Sequence, residues 1–540
     1  MLVPASDQHA WYGTRLIHQL SRDWTRVTPI RQVHSAVGDP ALLLSIHCFR
    51  SHLEVPGILQ RANVPIWSVN RTEEHPLVIA GGGACYNPEP IADMVDVFCI
   101  GDGEDFIQAL PKCLAETTRT KRLRAIAELP GAYVPAWRKF QYDKTGMRVL
   151  DVTGEQRPIY ATRVNYWTPP PQRKMTASRR EIEVARGCRG KCFFCLLTWT
   201  KPYRERSWED FSQYIDETTP LGVFASNIAG VSYAQRIPSS MLRATYPGYR
   251  IDDFLRLPFP EEGAYKGWAY TAGVEGINER LRKILGKPFK ESQIAETVHR
   301  LAVGKPTRAQ FYYIRCVPSE TAADWEEFIP RLRGYLEELV QAGIPFETTF
   351  IPLVRTPHTP LQWCELTPAR LGEHYVLQMH EEARAWNQRT DVKGRWRSNP
   401  PRSEWQHLVD NLLSQGGRRM GQLAVHYKEI ESYVSRFSKG RDVYYLFRAL
   451  KALGIESSRE ELYAGFDDDT VFAYSHIKPF GEEGEKRVKR VWKRIQSWLV
   501  GTHAKPCELS LDPAPHISSE GGDTEVATGA LHEPVEGREG

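Results

Sequence analysis

Cys188-Arg-Gly-Lys-Cys192-Phe-Phe-Cys195 decides how this 540-residue chain is read. Its cysteines are spaced Cys-x3-Cys-x2-Cys and follow Glu183-Val-Ala-Arg186-Gly187. Three thiolates this close suit three irons of one cubane cluster. The fourth iron then has no protein ligand nearby, and a substrate or cosubstrate can coordinate it. Two-cluster ferredoxins use a tighter Cys-x2-Cys-x2-Cys run with a fourth cysteine. A structural zinc site needs four ligands, and no fourth Cys or His lies close in sequence. Three buried thiols or a zinc knuckle are the plainer readings of the same residues.

Outside this cluster, Cys48, Cys85, Cys99, Cys113, Cys316, Cys364 and Cys507 stand singly. That scatter suits a reducing compartment rather than a disulfide scaffold, and it offers no second cluster. The length predicts several domains. A hydrophobic content of 41% and a charged content of 25% are ordinary for a globular protein. A net charge of +4 leaves nucleic acid and membrane surfaces without an electrostatic footprint. The N-terminus lacks a basic segment followed by a long apolar run, and no stretch is long enough to span a bilayer, so the chain is expected to be cytoplasmic.

The fold class expected is α/β. Residues 1–125 read as a small α/β domain, with Ala41–Ile46, Pro76–Ala80 and Val95–Ile100 as buried parallel strands. Gly81-Gly82-Gly83 and Gly101-Asp-Gly103-Glu104 follow two of them. Ligands sit at such turns in open α/β sheets, but tight turns needing positive φ have the same composition. Residues 126–180 are a connector. It holds a hairpin around Asp143-Lys-Thr-Gly146, the stiff run Pro169-Pro170-Pro171 and a basic stretch from Arg173 to Arg180.

From 181 to 363 strands and helices alternate, which predicts a parallel sheet or partial barrel. The first strand carries the cysteine loop, and Ser207 caps the helix from Trp208. Further strands are predicted at Gly222–Ser226, near Tyr249–Asp252, at Gly267–Gly276, at Ala309–Val317 and from Phe350. A helix over 322–342 shows Trp325, Phe328, Ile329, Leu332, Leu336 and Leu339 on one face, and Pro330 predicts a kink or a broken start. Residues 364–504 read as mostly helical. The last helix has the stripe Val488, Trp492, Ile495, Trp498 and Leu499, opposite a Lys/Arg-rich face that suits solvent or RNA. Residues 505–540 are rich in Gly, Pro, Ser and acids, and disorder is expected.

The cysteine motif resembles the signature of the radical SAM enzymes. Pro76-Leu-Val-Ile-Ala-Gly-Gly-Gly83, Asn87-Pro-Glu-Pro90 and Ile100-Gly-Asp-Gly-Glu104 together resemble the N-terminal Rossmann-like domain of that family's cobalamin-binding branch. Pro357-His-Thr-Pro-Leu-Gln-Trp363 resembles the segment after the sixth strand in the same branch. The resemblance implies a Rossmann-like domain (1–125), a radical SAM partial (β/α)6 TIM barrel (181–363) and a C-terminal helical domain (364–504). It implies that Cys188, Cys192 and Cys195 ligate a 4Fe-4S cluster whose open iron binds S-adenosylmethionine (SAM). One electron would then cleave SAM to a 5′-deoxyadenosyl radical acting on an unidentified substrate.

By the same resemblance, Phe194 lies against adenine, Ser226 and Asn227 lie at the SAM amino group, and Glu275 faces the ribose. The backbone from Ile314 to Val317 lies where adenine packs. The family's Gly-Gly-Glu after the second strand is missing here. His358 is either a substrate-side acid–base or a group that ties down a strand end. The implied partner is a low-potential electron donor of flavodoxin or ferredoxin type.

Cobalamin stays open. The branch's cobalt-ligating histidine lies in Asp-x-His-x-x-Gly, whereas this chain has Asp7-Gln-His9-Ala-Trp-Tyr-Gly13, one residue longer. A surface histidine is the plainer reading of His9. Two other functions compete with radical generation: cobalamin-dependent methyl transfer on the same scaffold, and a non-catalytic zinc- or RNA-binding module.

Overall fold

The computed structural model describes residues 1–5, 11–169, 180–215, 221–237, 241, 248–389, 394–437 and 441–500. His9, Pro170, Pro171, the basic run from Arg173 to Arg179 and the 505–540 tail lie outside the described residues.

Five strands open the chain: β1 (Leu2–Pro4), β2 (Ala41–Ser45), β3 (Leu77–Gly81), β4 (Val97–Cys99) and β5 (Ala132–Tyr133). They form one sheet in that spatial order, parallel through β4, with β5 antiparallel at the edge. Helices α1 (Trp11–Ser21), α2 (Val55–Arg61), α3 (Glu104–Leu114) and α4 (Arg119–Ala127) connect them. The strands read as continuous apolar runs because both faces are covered. Alternation sends Leu42, Leu44, Val78, Ala80 and Phe98 into a core with α2. It sends Leu43, Leu77, Ile79 and Val97 into a second core with α1, α3 and α4.

A doubly wound Rossmann sheet reverses its strand order, and the reversal opens the ligand crevice. Here the order never reverses, so the expected Rossmann-like domain lacks that switch point. The two glycine turns are sterically required. Gly82 has φ +117° and a Cβ there would lie 2.4 Å from the Ile46 carbonyl oxygen; Gly101 has φ +108° and its Cβ would lie 2.3 Å from Thr162 N.

The next strands, β6 (Arg138–Tyr142) and β7 (Val149–Gly154), pair antiparallel around the Asp143–Gly146 turn. Asp143 Oδ1 steadies that turn by accepting from Thr145 Oγ1 at 2.7 Å. After β8 (Ile159–Tyr160), the cysteine region begins with β9 (Arg180–Glu183), β10 (Ala185–Arg186), β11 (Arg204–Glu205) and β12 (Leu221–Phe224). β9 pairs in parallel with β12, and β10 pairs antiparallel with β11, closing the cysteine loop.

A second parallel sheet follows in chain order: β13 (Ala269–Glu275), β14 (Arg308–Arg315), β15 (Phe346–Pro352) and β16 (Trp396–Ser398). The strand expected near Tyr249 is one parallel bridge, Tyr249 to Ala272. β15 begins at Phe346, ahead of the Phe350 start read from the sequence. The helix Ala322–Gln341 runs unbroken through Pro330. Its face of Trp325, Phe328, Ile329, Leu332, Leu336 and Leu339 is buried, and that packing outweighs the hydrogen bond the proline removes. Thr321 and Asp324 cap it reciprocally.

Two later helices, Glu404–Gln415 and Met420–Val434, pack back on the N-terminal region, against Phe49–Glu54 and Glu89–Met94. Arg418 donates from Nε to the fully buried Glu89 at 2.9 Å, and Tyr133 donates its hydroxyl to the same carboxylate at 2.5 Å. The last helix, Gly481–Val500, lies on Pro360–Trp363, and β17 (Ile477–Lys478) before it pairs with β8. One apolar core runs from Met1 through the parallel sheets to Ile495. Among the described residues, no helix is long and apolar enough to cross a membrane.

Candidate functional site

The cysteine loop leaves β10 and ends in the short helix Leu196–Thr200, with Cys195 at its N-cap. Gly190 N donates to Cys188 Sγ at 3.3 Å, and Arg250 Nη1 donates to Cys192 Sγ at 3.2 Å. Arg250 is itself gripped by Asp252, through Nε and Nη2 at 3.0 Å each. Lys287 Nζ lies 2.8 Å from Glu275 Oε1 and 2.9 Å from the Gly273 carbonyl.

Burial pushes all three thiols above their ordinary range. The opposing pull differs at each: the Gly190 N–H at Cys188, the Lys287 and Arg250 cations at Cys192, and the N–H groups of Thr198 and Leu197 at Cys195. Burial would lower the Lys287 ammonium, but Glu275 and Cys192 outweigh it and hold the group above its usual value.

Among the described residues, no three His, Cys, Asp or Glu side chains converge on a point that could hold a single metal ion. A cubane asks for something else, one thiolate at each of three separate corners. The donor set fits that group: three thiols on one short loop, with N–H donors and two cations turned on them. Such donors stabilise thiolate sulfur bound to iron.

A cavity of about 460 Å³ opens beside the loop, at the C-terminal ends of β13, β14 and β15. Phe194, Ser226, Tyr249, Arg250, Glu275 and Lys287 border it. Of the residues singled out from the sequence, Phe194, Ser226, Glu275 and Ile314 meet there. Asn227 does not. Its Nδ2 donates to Asp253 Oδ2 at 2.5 Å and its Oδ1 accepts from Arg250 N at 3.2 Å. Val317 is fully buried, its N–H donating to Glu320.

His358 also lies elsewhere. Its Nε2 donates to the Tyr86 carbonyl at 2.9 Å and its ring stands edge-on to Tyr474. Burial lowers its pKa to about 4. This histidine ties the segment after β15 to the N-terminal sheet.

A second cavity, of about 430 Å³, lies between the N-terminal sheet and the cysteine loop. Ser45, His47 and Gly81 line it from the sheet, and Glu183, Leu197 and Lys201 from the loop. Ser226 borders both cavities. Arg186 spans the same junction. Its Nε and Nη2 hold Glu183 at 2.9 and 2.7 Å, while Nη1 lies 2.7 Å from Glu104 and 3.1 Å from Asp102. The Gly101–Glu104 turn is thus anchored to the strand that carries the cysteines.

Residues 32–135 match the family model described as radical SAM proteins, N-terminal. An uncharacterized protein of Methanocaldococcus jannaschii is 22% identical over 306 residues, a match that spans 53% of this chain and 61% of that protein. Among solved structures, the chain is similar to the radical S-adenosylmethionine methyltransferase TsrM from Kitasatospora setae, solved with cobalamin and a 4Fe-4S cluster bound. The identity is 14% and the TM-score 0.43, over 67% of this chain and 76% of that one. It is also similar to the cobalamin-dependent S-adenosylmethionine radical enzyme OxsB, at 12% identity and a TM-score of 0.37, over 93% of this chain and 79% of that one.

Arg250, Lys287 and Arg186 carry much of this electrostatics, and sequence reasoning assigned none of them a role. Arg250 and Lys287 lie far along the chain from the cysteines. No periodicity marks them, and only the fold brings them to Cys192.

Proposed function

We propose that this chain is a radical SAM enzyme. Cys188, Cys192 and Cys195 hold a 4Fe-4S cluster, and the cavity beside Phe194 takes SAM. β9, β12 and β13 to β15 act as the staves of a partial barrel around that cavity. The observation that carries the reading is one juxtaposition: Phe194 of the cysteine loop and the cations Arg250 and Lys287 border one cavity, at the C-terminal ends of parallel strands, and Arg250 reaches from it to Cys192 Sγ. Ligands collect at that end of parallel sheets.

One-electron cleavage of the SAM sulfonium to a 5′-deoxyadenosyl radical is the chemistry that the bound cluster supplies. The chain's own groups do the rest. Arg250 and Lys287 offset the negative charge of thiolate-bound iron. Phe194 offers a ring face to adenine. Glu275 offers carboxylate oxygens to the ribose hydroxyls, and Lys287 holds that carboxylate in place. Ile314, Pro352 and Leu353 give the cavity an apolar wall that keeps water from a reactive carbon radical.

The test is anaerobic. Protein reconstituted with iron and sulfide, given SAM and dithionite, yields 5′-deoxyadenosine, and the Cys188→Ala variant yields none. No deoxyadenosine from wild-type protein with a full cluster and bound SAM would sink the radical reading.

A second reading, cobalamin-dependent methyl transfer, is favoured by the second cavity and its shared wall at Ser226. A corrinoid absorbance co-purifying with the chain, lost when bulky side chains fill that cavity, would move the assignment there.

A further inference from the structure

The two phenylalanines of the cysteine loop face different surroundings. Phe194 borders the SAM cavity. Phe193 is buried on another side, where its ring meets Trp498 of the last helix at 6.4 Å. Arg494 lies over the rings of Phe193 and Trp498, at 5.8 and 5.4 Å. Lys283 lies over Trp498 at 4.7 Å. Arg487 lies over Trp199 at 5.1 Å, and the Trp199 indole donates to the Cys192 carbonyl at 2.8 Å.

These cations are exposed. Beside them on the helix stand Arg490 and Lys493, also exposed. Among the described residues, Arg487, Lys489, Arg490 and Arg494 have no carboxylate within ion-pair distance. Lys191, in the loop itself, is exposed as well. The chain as a whole is nearly neutral, so this positive face is local.

We propose that the outer face of helix Gly481–Val500 is the docking site of an acidic protein that carries a low-potential one-electron centre. This rests on the function proposed above. The donor loses one electron and the cluster held by Cys188, Cys192 and Cys195 gains it, with no bond made or broken. Trp498, Phe193 and Trp199 form the packed contact between that face and the loop, which keeps the electron path short. The donor approaches from the Phe193 side, leaving the SAM cavity on the Phe194 side clear. RNA would also favour a basic face. The protein partner is preferred because the cations centre on rings that touch the cysteine loop.

The experiment measures binding first. Full-length protein is titrated with flavodoxin at low salt, and with a single-stranded RNA 20-mer in parallel. The expected result is saturable flavodoxin binding that weakens with salt and falls about tenfold or more in Arg490→Glu/Lys493→Glu. Arg490→Gln/Lys493→Gln gives an intermediate loss, and Arg490→Lys/Lys493→Arg restores binding. Carbodiimide cross-links should join Lys486 or Lys489 to flavodoxin carboxylates. With dithionite as reductant, SAM cleavage by the charge-reversed variant should equal wild type, while flavodoxin-driven cleavage drops in step with binding.

Flavodoxin binding unchanged by charge reversal would overturn the proposal. So would RNA binding more tightly than flavodoxin at this face, or cross-links running instead to the acid-rich 505–540 tail. Flavodoxin binding that follows the predicted charge dependence, in a chain that never cleaves SAM, would leave the docking face standing and remove the radical reading.

Discussion

Arg186 stands two residues before Cys188, and its guanidinium is shared by three carboxylates from two parts of the fold. Glu183 precedes it on the same stretch, while Asp102 and Glu104 belong to the turn after β4. All four side chains are nearly buried. Together the acids hold the guanidinium above its ordinary pKa despite burial.

Replacing Arg186 with Ala leaves buried carboxylates short of a counter-ion and should cost about 3–5 kcal/mol at neutral pH. Burial would raise Asp102, yet Arg186, Lys201 and Arg204 outweigh it and keep the carboxyl below its usual range. A depressed carboxyl adds stability above its unfolded pKa and loses it as pH falls through the folded value. The Arg186→Ala penalty should therefore shrink toward pH 3. Urea unfolding of both proteins at pH 7 and pH 3 checks this.

The Glu320 carboxyl runs the other way. It is buried beneath the helix Ala322–Gln341, accepting from Val317 N at 3.0 Å and Trp325 Nε1 at 2.7 Å. Burial raises its pKa from 4.5 to about 7. A raised carboxyl stabilises the fold fully below its unfolded pKa, and the contribution is gone above the folded one. Between pH 4.5 and 7.5 the wild type should lose roughly 3 kcal/mol relative to Glu320→Gln. Equal pH profiles for the two proteins would show that Glu320 ionises normally.

Glu275→Ala removes both the partner of Lys287 and an oxygen facing the cavity proposed to take SAM. Loss of a hydrogen bond involving a charged group is worth about 1.5–3 kcal/mol, so SAM affinity should fall roughly ten- to hundredfold. Iron content per chain should not change, because Glu275 is no cluster ligand. Equilibrium dialysis with labelled SAM, alongside an iron assay, separates the two effects.

Arg418→Met should cost about 3–5 kcal/mol, since Glu89 is fully buried and Arg418 is its cationic partner. Burial already raises the Glu89 carboxyl against the pull of Arg418. The double change Glu89→Gln/Arg418→Met should recover much of the loss. Thermal melts of the single and double variants decide it.

The apolar runs of β2, β3 and β4, the Asp143 turn, the Ser207 cap and the buried stripe of the 322–341 helix were legible in the sequence, because each rests on local spacing. The cysteine motif was legible for the same reason. Strand order was not. Alternation places Leu42 and Leu43 on opposite faces but does not say which strand lies beside β2, and the sheet proved sequential. The Tyr249 strand is a single bridge, and the chain enters the helix Ile251–Phe254 directly after it. His358 looked reactive from its setting among prolines, yet its partner Tyr86 is remote in sequence. Asn227 likewise spends its amide on Asp253 and Arg250. Long-range pairing decides such residues, and no window of sequence contains it.

The ion pair between Glu89 and Arg418 also sets an order of events during synthesis. The N-terminal sheet leaves the ribosome with Glu89 in place and no counter-charge for it, and with the surface of Phe49–Glu54 and Glu89–Met94 uncovered. Neither is remedied until translation has passed residue 434. The cysteine loop emerges in that interval, before the helix that covers Phe193 exists. A nascent chain therefore holds Cys188, Cys192 and Cys195 exposed and its first sheet half-dressed until the C-terminal helices arrive.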